Sequence, residues 1–396
     1  MTAEQTLLID SLSVAVAGKR KMLELQVDWL SFLRLANSHN LAALVCHGLQ
    51  QDPDVWKQVP KGVRACLTDA YMQAIYWDSQ QDYMKQLLQE KLSDADIPHI
   101  FLKGICLKQD YPVPALRTMC DLDVLVYASD FDEIDKVAAA LDGKAADGDG
   151  NHRNYVFPGN VKVEFHPNLL HHATPVGTEI NPGWQYAMDM PGDMSKQLTA
   201  EGFYLNTICH FADHFIAGDL SVRFVLDVWV NRNLRKPEAD RAFVEQELDR
   251  FGLLDFAKNV EELAEVWFGN GQDTPLLQEF GEYILTNVHG ISNRAMLNAI
   301  SLAPGSNRFS ALMKKAFYPK EELEDRYPWC KGKMLLLPAA WCARAYNAVT
   351  KHGSVIANWS KGTGQITKAE VLENQELLRR FGIFRKSKGK RRKHSF

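Results

Sequence analysis

The sequence predicts an α+β protein in which a small mixed sheet lies between two helical regions. Residues 1–95 place apolar side chains at helical spacing. Residues 96–200 contain short runs that alternate apolar and polar side chains, a pattern typical of half-buried strands. Helical spacing returns at residue 201. We therefore expect a helical N-terminal region over 1–95, a core over 96–200, a helical C-terminal region over 201–380 and a basic tail over 381–396.

Composition indicates a soluble protein with free thiols. The 396 residues are 46% hydrophobic and carry a formal net charge of −4, so the overall charge does not indicate nucleic-acid binding. The seven cysteines show no Cys-x-x-Cys spacing, which fits reduced thiols better than disulfides or a zinc site. The first residues lack the basic segment of a signal peptide, and the apolar run 334–343 is too short to span a membrane. We therefore expect a cytoplasmic location.

The core opens with a strand and a turn. Pro98 ends the N-terminal helices, and a short strand is predicted over 99–102. Lys103-Gly104 forms the turn, and a short helix follows from Ile105.

The next strand carries two acidic residues on one face. Successive side chains of a strand alternate between its faces, so Asp121 and Asp123 point together within the strand predicted over 121–126. The apolar side chains of that strand point to the opposite face and into a core. An amphipathic helix is predicted over 129–141.

A predicted hairpin supplies a third carboxylate. Its strands cover 155–157 and 161–166, and its second strand places Glu164 on a polar face with Lys162 and His166. An antiparallel partner strand could set Glu164 beside the two aspartates. The following residues, 167–200, are rich in Pro, Gly and Asp and are predicted to form loops.

The carboxylates of Asp121, Asp123 and Glu164 are candidates for a metal site. Neighbouring carboxylates repel each other unless a cation lies between them, and Mg²⁺ or Mn²⁺ suits such hard oxygen ligands. Three converging carboxylates can hold two divalent ions, and Glu164 is also a candidate general base. Taken singly, each motif has an ordinary alternative: an exposed strand end for Asp-x-Asp, and the solvent face of a hairpin for Glu164.

The order of these parts resembles the nucleotidyltransferase superfamily with its polymerase-β-like core. Within it, the chain is similar to the large, mostly uncharacterised bacterial family with a Lys-Gly motif. The matching pieces are Leu102-Lys103-Gly104, Tyr111-Pro112, Arg117, Asp121-Leu122-Asp123-Val124, Val163-Glu164-Phe165-His166, the segment with His210, His214, Arg223 and Asp227, and YPWCKGKMLLLPAAWCAR. The resemblance spans roughly residues 95–345.

The resemblance implies transfer of a nucleoside monophosphate from an NTP to an acceptor, with Mg²⁺ or Mn²⁺ as cofactor. It implies that Asp121, Asp123 and Glu164 bind the metals and form the catalytic set. Better-known members carry Gly-Ser or Gly-Gly at the turn, whereas this chain has Lys103-Gly104. A lysine can anchor phosphate as a point charge, and the glycine lets the backbone approach closely, so we expect this turn to bind the triphosphate.

Four further residues are assigned supporting positions. Arg117 either contacts a phosphate or carboxylate of the ligand or pairs with Asp121 or Asp110 to hold its loop. His210 and His214 share a helical face. Because no metalloprotease glutamate follows His210, we expect these two and His166 to surround the site rather than bind zinc.

Other readings of the chain remain open. Arg223 and Asp227 are expected to form an i,i+4 ion pair. The tail 385–394 could attract an anionic partner, although a disordered end is the simpler interpretation. Asp-x-Asp also occurs in nucleotide-sugar glycosyltransferases, and a non-catalytic nucleotide-binding protein could keep this fold. The acceptor could be a small molecule, a protein or RNA.

Overall fold

The computed structural model describes residues 1–19, 21–146, 152–170, 180, 183–288, 294–303, 320, 323–324, 327–344, 346–347 and 366–383. The residues outside these ranges include the His171-His172 pair and the basic tail over 385–394, so the predictions about the tail lie outside the described residues. No described helix is long and apolar enough to cross a membrane.

Five described helices lie within residues 1–95. They are α1 (Ala3–Ala17), α2 (Trp29–Ser38), α3 (Ala42–Gln50), α4 (Pro53–Gln58) and α5 (Lys61–Asp94). The first begins with a capping box, in which Thr2 and Gln5 each satisfy a free backbone N–H of the other residue. The 34-residue α5 is the longest described helix and leads directly to the sheet.

Seven described strands form one mixed sheet, larger than the small sheet predicted. They are β1 (His99–Phe101), β2 (Asp121–Leu125), β3 (Lys144–Ala145), β4 (Arg153–Phe157), β5 (Val161–His166), β6 (Ala187–Asp189) and β7 (Ser195–Leu198), and their order is β3-β4-β5-β2-β1-β7-β6. The short helix α6 (Gly104–Leu107) follows β1, and α7 (Phe131–Ala140) follows β2. The predicted turn, helices and hairpin of this part are therefore confirmed.

The pairing of β2 with β5 differs from the expectation. The two strands are parallel, not antiparallel, and Asp123 lies opposite Glu164 in the register. The reason lies in the connection, because the chain leaves β2 through α7 and returns through β4, which takes the antiparallel position beside β5. The expected closeness of the carboxylates is still obtained, since side chains of paired residues project from the same face.

The segment predicted as loops over 167–200 contains two strands. Strand β7 adds to β1 in parallel, and the edge strand β6 pairs with β7 in antiparallel orientation. The sequence Ser-Lys-Gln-Leu of β7 has no β-branched or aromatic residue, so strand propensity gave no signal there.

The two faces of the sheet are used differently. Leu122 and Val124 of β2 and Val163 and Phe165 of β5 are fully buried on one face, in an apolar cluster with residues of α5 and α7. The opposite face carries the acidic side chains. The predicted alternation of both strands is therefore confirmed.

Seven further helices with defined bounds lie in the described part of residues 200–380. They are α8 (Ala200–Ala217), α9 (Val222–Asn233), α10 (Arg241–Phe251), α11 (Leu254–Phe268), α12 (Pro275–Thr286), α13 (Arg294–Ser301) and α14 (Lys368–Arg380). A second, larger apolar cluster joins these helices, apart from α13, to α1, α2 and α3. The two helical regions thus share one hydrophobic core, and α8 and α9 are held over the acidic face of the sheet.

Candidate functional site

A cleft of about 680 Å³ lies between the acidic face of the sheet and helices α8 and α9. All nine residues that the sequence singled out line it: Lys103, Gly104, Arg117, Asp121, Asp123, Glu164, His166, His210 and His214. The cleft therefore collects side chains from three separate parts of the chain.

The acidic residues occupy adjacent positions on two strands. Asp123 and Glu164 are paired across β2 and β5, and Asp121 precedes Asp123 by two residues on the same face. Potential ligand atoms of Asp123, Glu164 and His166 lie within 4.8 Å of one another. The carboxylate of Asp121 lines the cleft but is not in this group of three, so the structure adds a histidine to the predicted carboxylate set.

The pKa of Asp121 reflects crowding of negative charge. Burial, together with the charges of Asp123 and Glu164, raises this pKa to about 6. Burial would also raise the pKa of Asp123, but the charge of Lys103 and a hydrogen bond from His166 outweigh it and hold that pKa well below its usual range. The cluster thus contains more negative charge than its one lysine neutralises.

Lys103 contacts the cluster directly. Its Nζ donates a hydrogen bond to Oδ1 of Asp123 at 2.7 Å. The backbone of Lys103 has φ +52° and ψ −125°, a conformation that L residues other than glycine rarely adopt. Such backbone strain costs on the order of 1–3 kcal/mol and is typical of functional sites.

His166 links the cluster to a second histidine. Its Nε2 lies 2.9 Å from Oδ1 of Asp123 and 3.5 Å from Oε2 of Glu164, and its Nδ1 lies 3.0 Å from Nδ1 of His152. In the neutral tautomer that donates from Nε2 to the aspartate, the free Nδ1 accepts from His152. This chain of hydrogen bonds fixes the orientation of the Asp123 carboxylate.

Arg117 is held by a residue of α9. Its Nε and Nη2 donate to Oδ1 and Oδ2 of Asp227 at 3.2 and 2.6 Å, and the hydroxyl of Tyr111 donates to the same carboxylate at 2.6 Å. The expected alternatives for an intramolecular partner, Asp121 and Asp110, were therefore wrong. Asp110 instead pairs with Arg235.

The glycine of the turn makes room for this arginine. A Cβ at Gly104 would lie 2.5 Å from Nη1 of Arg117 and 3.2 Å from Cβ of Met119. The positive φ of the turn falls on Lys103 rather than on Gly104. A residue without a side chain is therefore needed here for close packing.

Arg223 is a cleft residue that the sequence reasoning did not include among the site residues. The expected ion pair with Asp227 is not formed, because that carboxylate is taken by Arg117 and Tyr111. Nη1 of Arg223 donates to the carbonyl of Thr118 at 3.0 Å, while its buried Nε has no hydrogen-bond acceptor among the described residues. The i,i+4 spacing of Arg223 and Asp227 suggested a local ion pair, so the sequence alone did not indicate that Arg223 lies in the cleft.

The two histidines of α8 face the cleft. The rings of His210 and His214 are 4.4 Å apart, and Phe224 of α9 lies against both. Burial lowers the pKa of His210 well below its usual range, and the charges of His214 and Lys103 add to this effect. Neither histidine belongs to a metal-capable group of three among the described residues, so their supporting role stays a prediction.

Comparisons with known proteins give one match. No curated protein and no solved structure matches the chain. A family model described as "Uncharacterised nucleotidyltransferase" matches residues 26–269. The match begins earlier and ends earlier than the expected span of 95–345, so it includes four of the five N-terminal helices and excludes the YPWCKGKM segment. Because the match covers more than half of the 396 residues, the chain belongs to this uncharacterised nucleotidyltransferase family.

Proposed function

We propose that the protein moves a nucleoside monophosphate from an NTP to a hydroxyl or phosphate acceptor, with release of pyrophosphate and dependence on a divalent metal. The observation that carries this proposal is the convergence of Asp121, Asp123 and Glu164 in one cleft of a chain from a nucleotidyltransferase family. Residues 96–200 would then form a polymerase-β-like catalytic core between the two helical regions.

The donor set fits a divalent ion. Asp123, Glu164 and His166 bring two carboxylates and an imidazole close enough to share one ion. The raised pKa of Asp121, to about 6, reflects negative charge that a cation would neutralise. Carboxylates favour Mg²⁺ or Mn²⁺. When bound, such an ion would neutralise phosphate charge and lower the pKa of the attacking hydroxyl.

Two cationic residues are suited to bind the triphosphate. Lys103 lies beside Asp123, and the guanidinium of Arg223 keeps a donor without a partner among the described residues. Both line the cleft. Arg117 has two of its donors committed to Asp227, so we propose that it positions the Gly104 turn rather than contacting phosphate as its main role.

One residue of the chain would take the proton that the reaction releases. The acceptor oxygen attacks the α-phosphorus, a bond forms between them, and the bond from the α-phosphorus to the bridging oxygen breaks. The electron pair of the broken bond leaves with pyrophosphate. Glu164 is half-buried at the cleft and accepts the proton of the acceptor hydroxyl. Positioning and charge neutralisation then account for most of the catalysis.

Label transfer from α-phosphate-labelled NTPs tests this proposal. Each of the four NTPs is incubated with the protein, Mg²⁺ or Mn²⁺, and cell extract as a pool of acceptors. We expect label to reach an acceptor with the wild-type protein and to be lost in Asp121→Asn and Asp123→Asn. Asp132→Asn, on the exposed surface of α7, is the matched control and should retain activity.

Three outcomes would contradict the proposal. Transfer that survives Asp123→Asn would exclude the carboxylate cluster as the site. Absence of both transfer and metal-dependent NTP binding would reject nucleotidyl transfer and favour a nucleotide-sugar donor. Tight NTP binding without transfer would favour a non-catalytic binding protein.

A further inference from the structure

We propose that the acceptor carries a positively charged amino group, which Asp213 and Asn206 of α8 bind next to the reacting centre. This inference rests on the proposed nucleotidyl transfer and names the class of its second substrate. Neither residue stands out in the sequence by its spacing or by a motif.

Both residues place buried oxygen atoms in the cleft without a hydrogen-bond partner. Asp213 is 8% exposed and Asn206 is 2% exposed, and both line the cleft. Oδ1 of each is buried and finds no hydrogen-bond donor among the described residues. Buried polar atoms are nearly always paired, because an unmade hydrogen bond costs on the order of 1–3 kcal/mol. These oxygens therefore indicate a ligand that brings donors.

The cationic side chains of the cleft contact other partners. Lys103 binds Asp123, Arg117 binds Asp227, and Arg223 donates to the carbonyl of Thr118. No ion pair of these three reaches Asp213 within the described part of the chain.

The two neighbouring histidines do not supply the missing charge. Burial favours the neutral form of His210, because it lowers the pKa of that ring well below its usual range. His214 lies 3.3 Å from Asp219 through its Nδ1. An ammonium group would supply the missing donor, because it offers three N–H donors and a positive charge to the Asp213 carboxylate. Asn206 can accept a further donor from the same group.

The position of these residues suits an acceptor that reacts at a nearby oxygen. Asn206, His210 and Asp213 lie within two turns of α8 and all line the cleft. His210 is close enough to Lys103 and Asp123 for their charges to affect its pKa. An amino group held at Asp213 would thus place the rest of a small molecule beside the carboxylates of the sheet.

Chemical removal of amine charge provides the test. Small molecules of a cell extract are used as acceptors for α-phosphate-labelled NTP, either untreated or after N-acetylation, which converts amines to neutral amides and leaves hydroxyls available. The untreated pool is also divided by cation exchange. We expect label in the cation-binding fraction, and we expect at least a tenfold loss after N-acetylation.

Variants connect this result to the proposed residues. Asp213→Asn keeps the shape and removes the charge, so it should lower transfer at least tenfold while the variant still binds labelled NTP. Asp249→Asn, on the exposed face of α10, should transfer as the wild type does. Label on neutral or anionic acceptors, unaffected by N-acetylation and by Asp213→Asn, would overturn the inference and leave the proposed function intact. Absence of Asp123-dependent transfer both to these small molecules and to the whole extract would overturn both.

Discussion

The buried pair of Arg117 and Asp227 predicts a strong energetic coupling between two parts of the chain. The side chains are 9% and 5% exposed and share two hydrogen bonds. Removal of one partner leaves the other buried without its counter-charge, which costs about 3–5 kcal/mol. In Arg117→Met and Asp227→Asn we therefore expect each free energy of unfolding to fall by about that amount.

The double variant separates this coupling from unrelated effects. Arg117→Met/Asp227→Asn no longer contains an unpaired charge, so its loss should be smaller than the sum of the single losses by about 3 kcal/mol. Tyr111→Phe removes one hydrogen bond to the same carboxylate and should cost about 1.5–3 kcal/mol. The free energies come from urea unfolding followed by tryptophan fluorescence and by circular dichroism, whose transitions must coincide.

The exposed pair of Lys136 and Glu133 on α7 is the matched control. It has the same charges on well-hydrated side chains and should show no measurable coupling. A coupling below about 1 kcal/mol for Arg117 and Asp227 would refute our interpretation of the pair. If Arg117→Met kept full stability but lost NTP binding, Arg117 would be a phosphate ligand and not a positioning residue.

Three further predictions concern the turn, the buried His39 and the acidic cluster. Gly104→Ala should lower the free energy of unfolding by about 1–3 kcal/mol and reduce activity, because the new Cβ meets Arg117, which is fixed by its ion pair. The control Gly62→Ala lies in open space on α5 and should be neutral or stabilising. Equal effects of the two substitutions in urea unfolding would contradict the predicted clash. Burial lowers the pKa of His39 to about 4, so the unfolded chain takes up a proton between pH 6.5 and pH 4 that the folded chain does not. The free energy of unfolding should therefore fall by about 3 kcal/mol as the pH is lowered from 6.5 to 4. In His39→Asn this part of the pH dependence should be absent. Parallel pH profiles of wild type and His39→Asn would contradict the prediction. His166→Gln should weaken Mn²⁺ binding about 10–100-fold in a titration, because it removes a donor that touches the cluster, and unchanged affinity would exclude that role.

The strands show which features could be read from the sequence. Alternation of apolar and polar residues in β2 and β5 predicted both faces correctly, because side-chain direction in a strand is a local property. The Asp-x-Asp and Glu motifs could therefore be assigned to a common acidic face. The direction of β5 relative to β2 was not predictable in the same way, because it depends on the route of the intervening chain. Strand β7 was missed because its pairing with β1, rather than its own residues, makes it a strand.

The partners of charged residues were the least predictable feature. Local spacing suggested that Arg223 pairs with Asp227, but Arg117, from a loop 110 positions earlier, takes that carboxylate. Arg223 is thereby left with an unpartnered donor in the cleft, within the described residues. Similarly, nothing in the sequence around Asp213 and Asn206 distinguishes them from ordinary helix residues. Their buried, unpaired oxygen atoms result from the tertiary structure around them.

The sequence by itself determined the helical segments, strands β1, β2, β4 and β5, the acidic face of the sheet and nine of the residues that line the cleft. These follow from periodicity and residue chemistry, which act over a few positions. The tertiary structure alone decided that β2 and β5 are parallel, that His166 joins the acidic cluster, that Arg117 is held by Asp227, and that Asp213 remains without a partner among the described residues. Each of these depends on contacts between segments far apart in the chain, where burial and competition between partners, rather than local pattern, determine which interactions form.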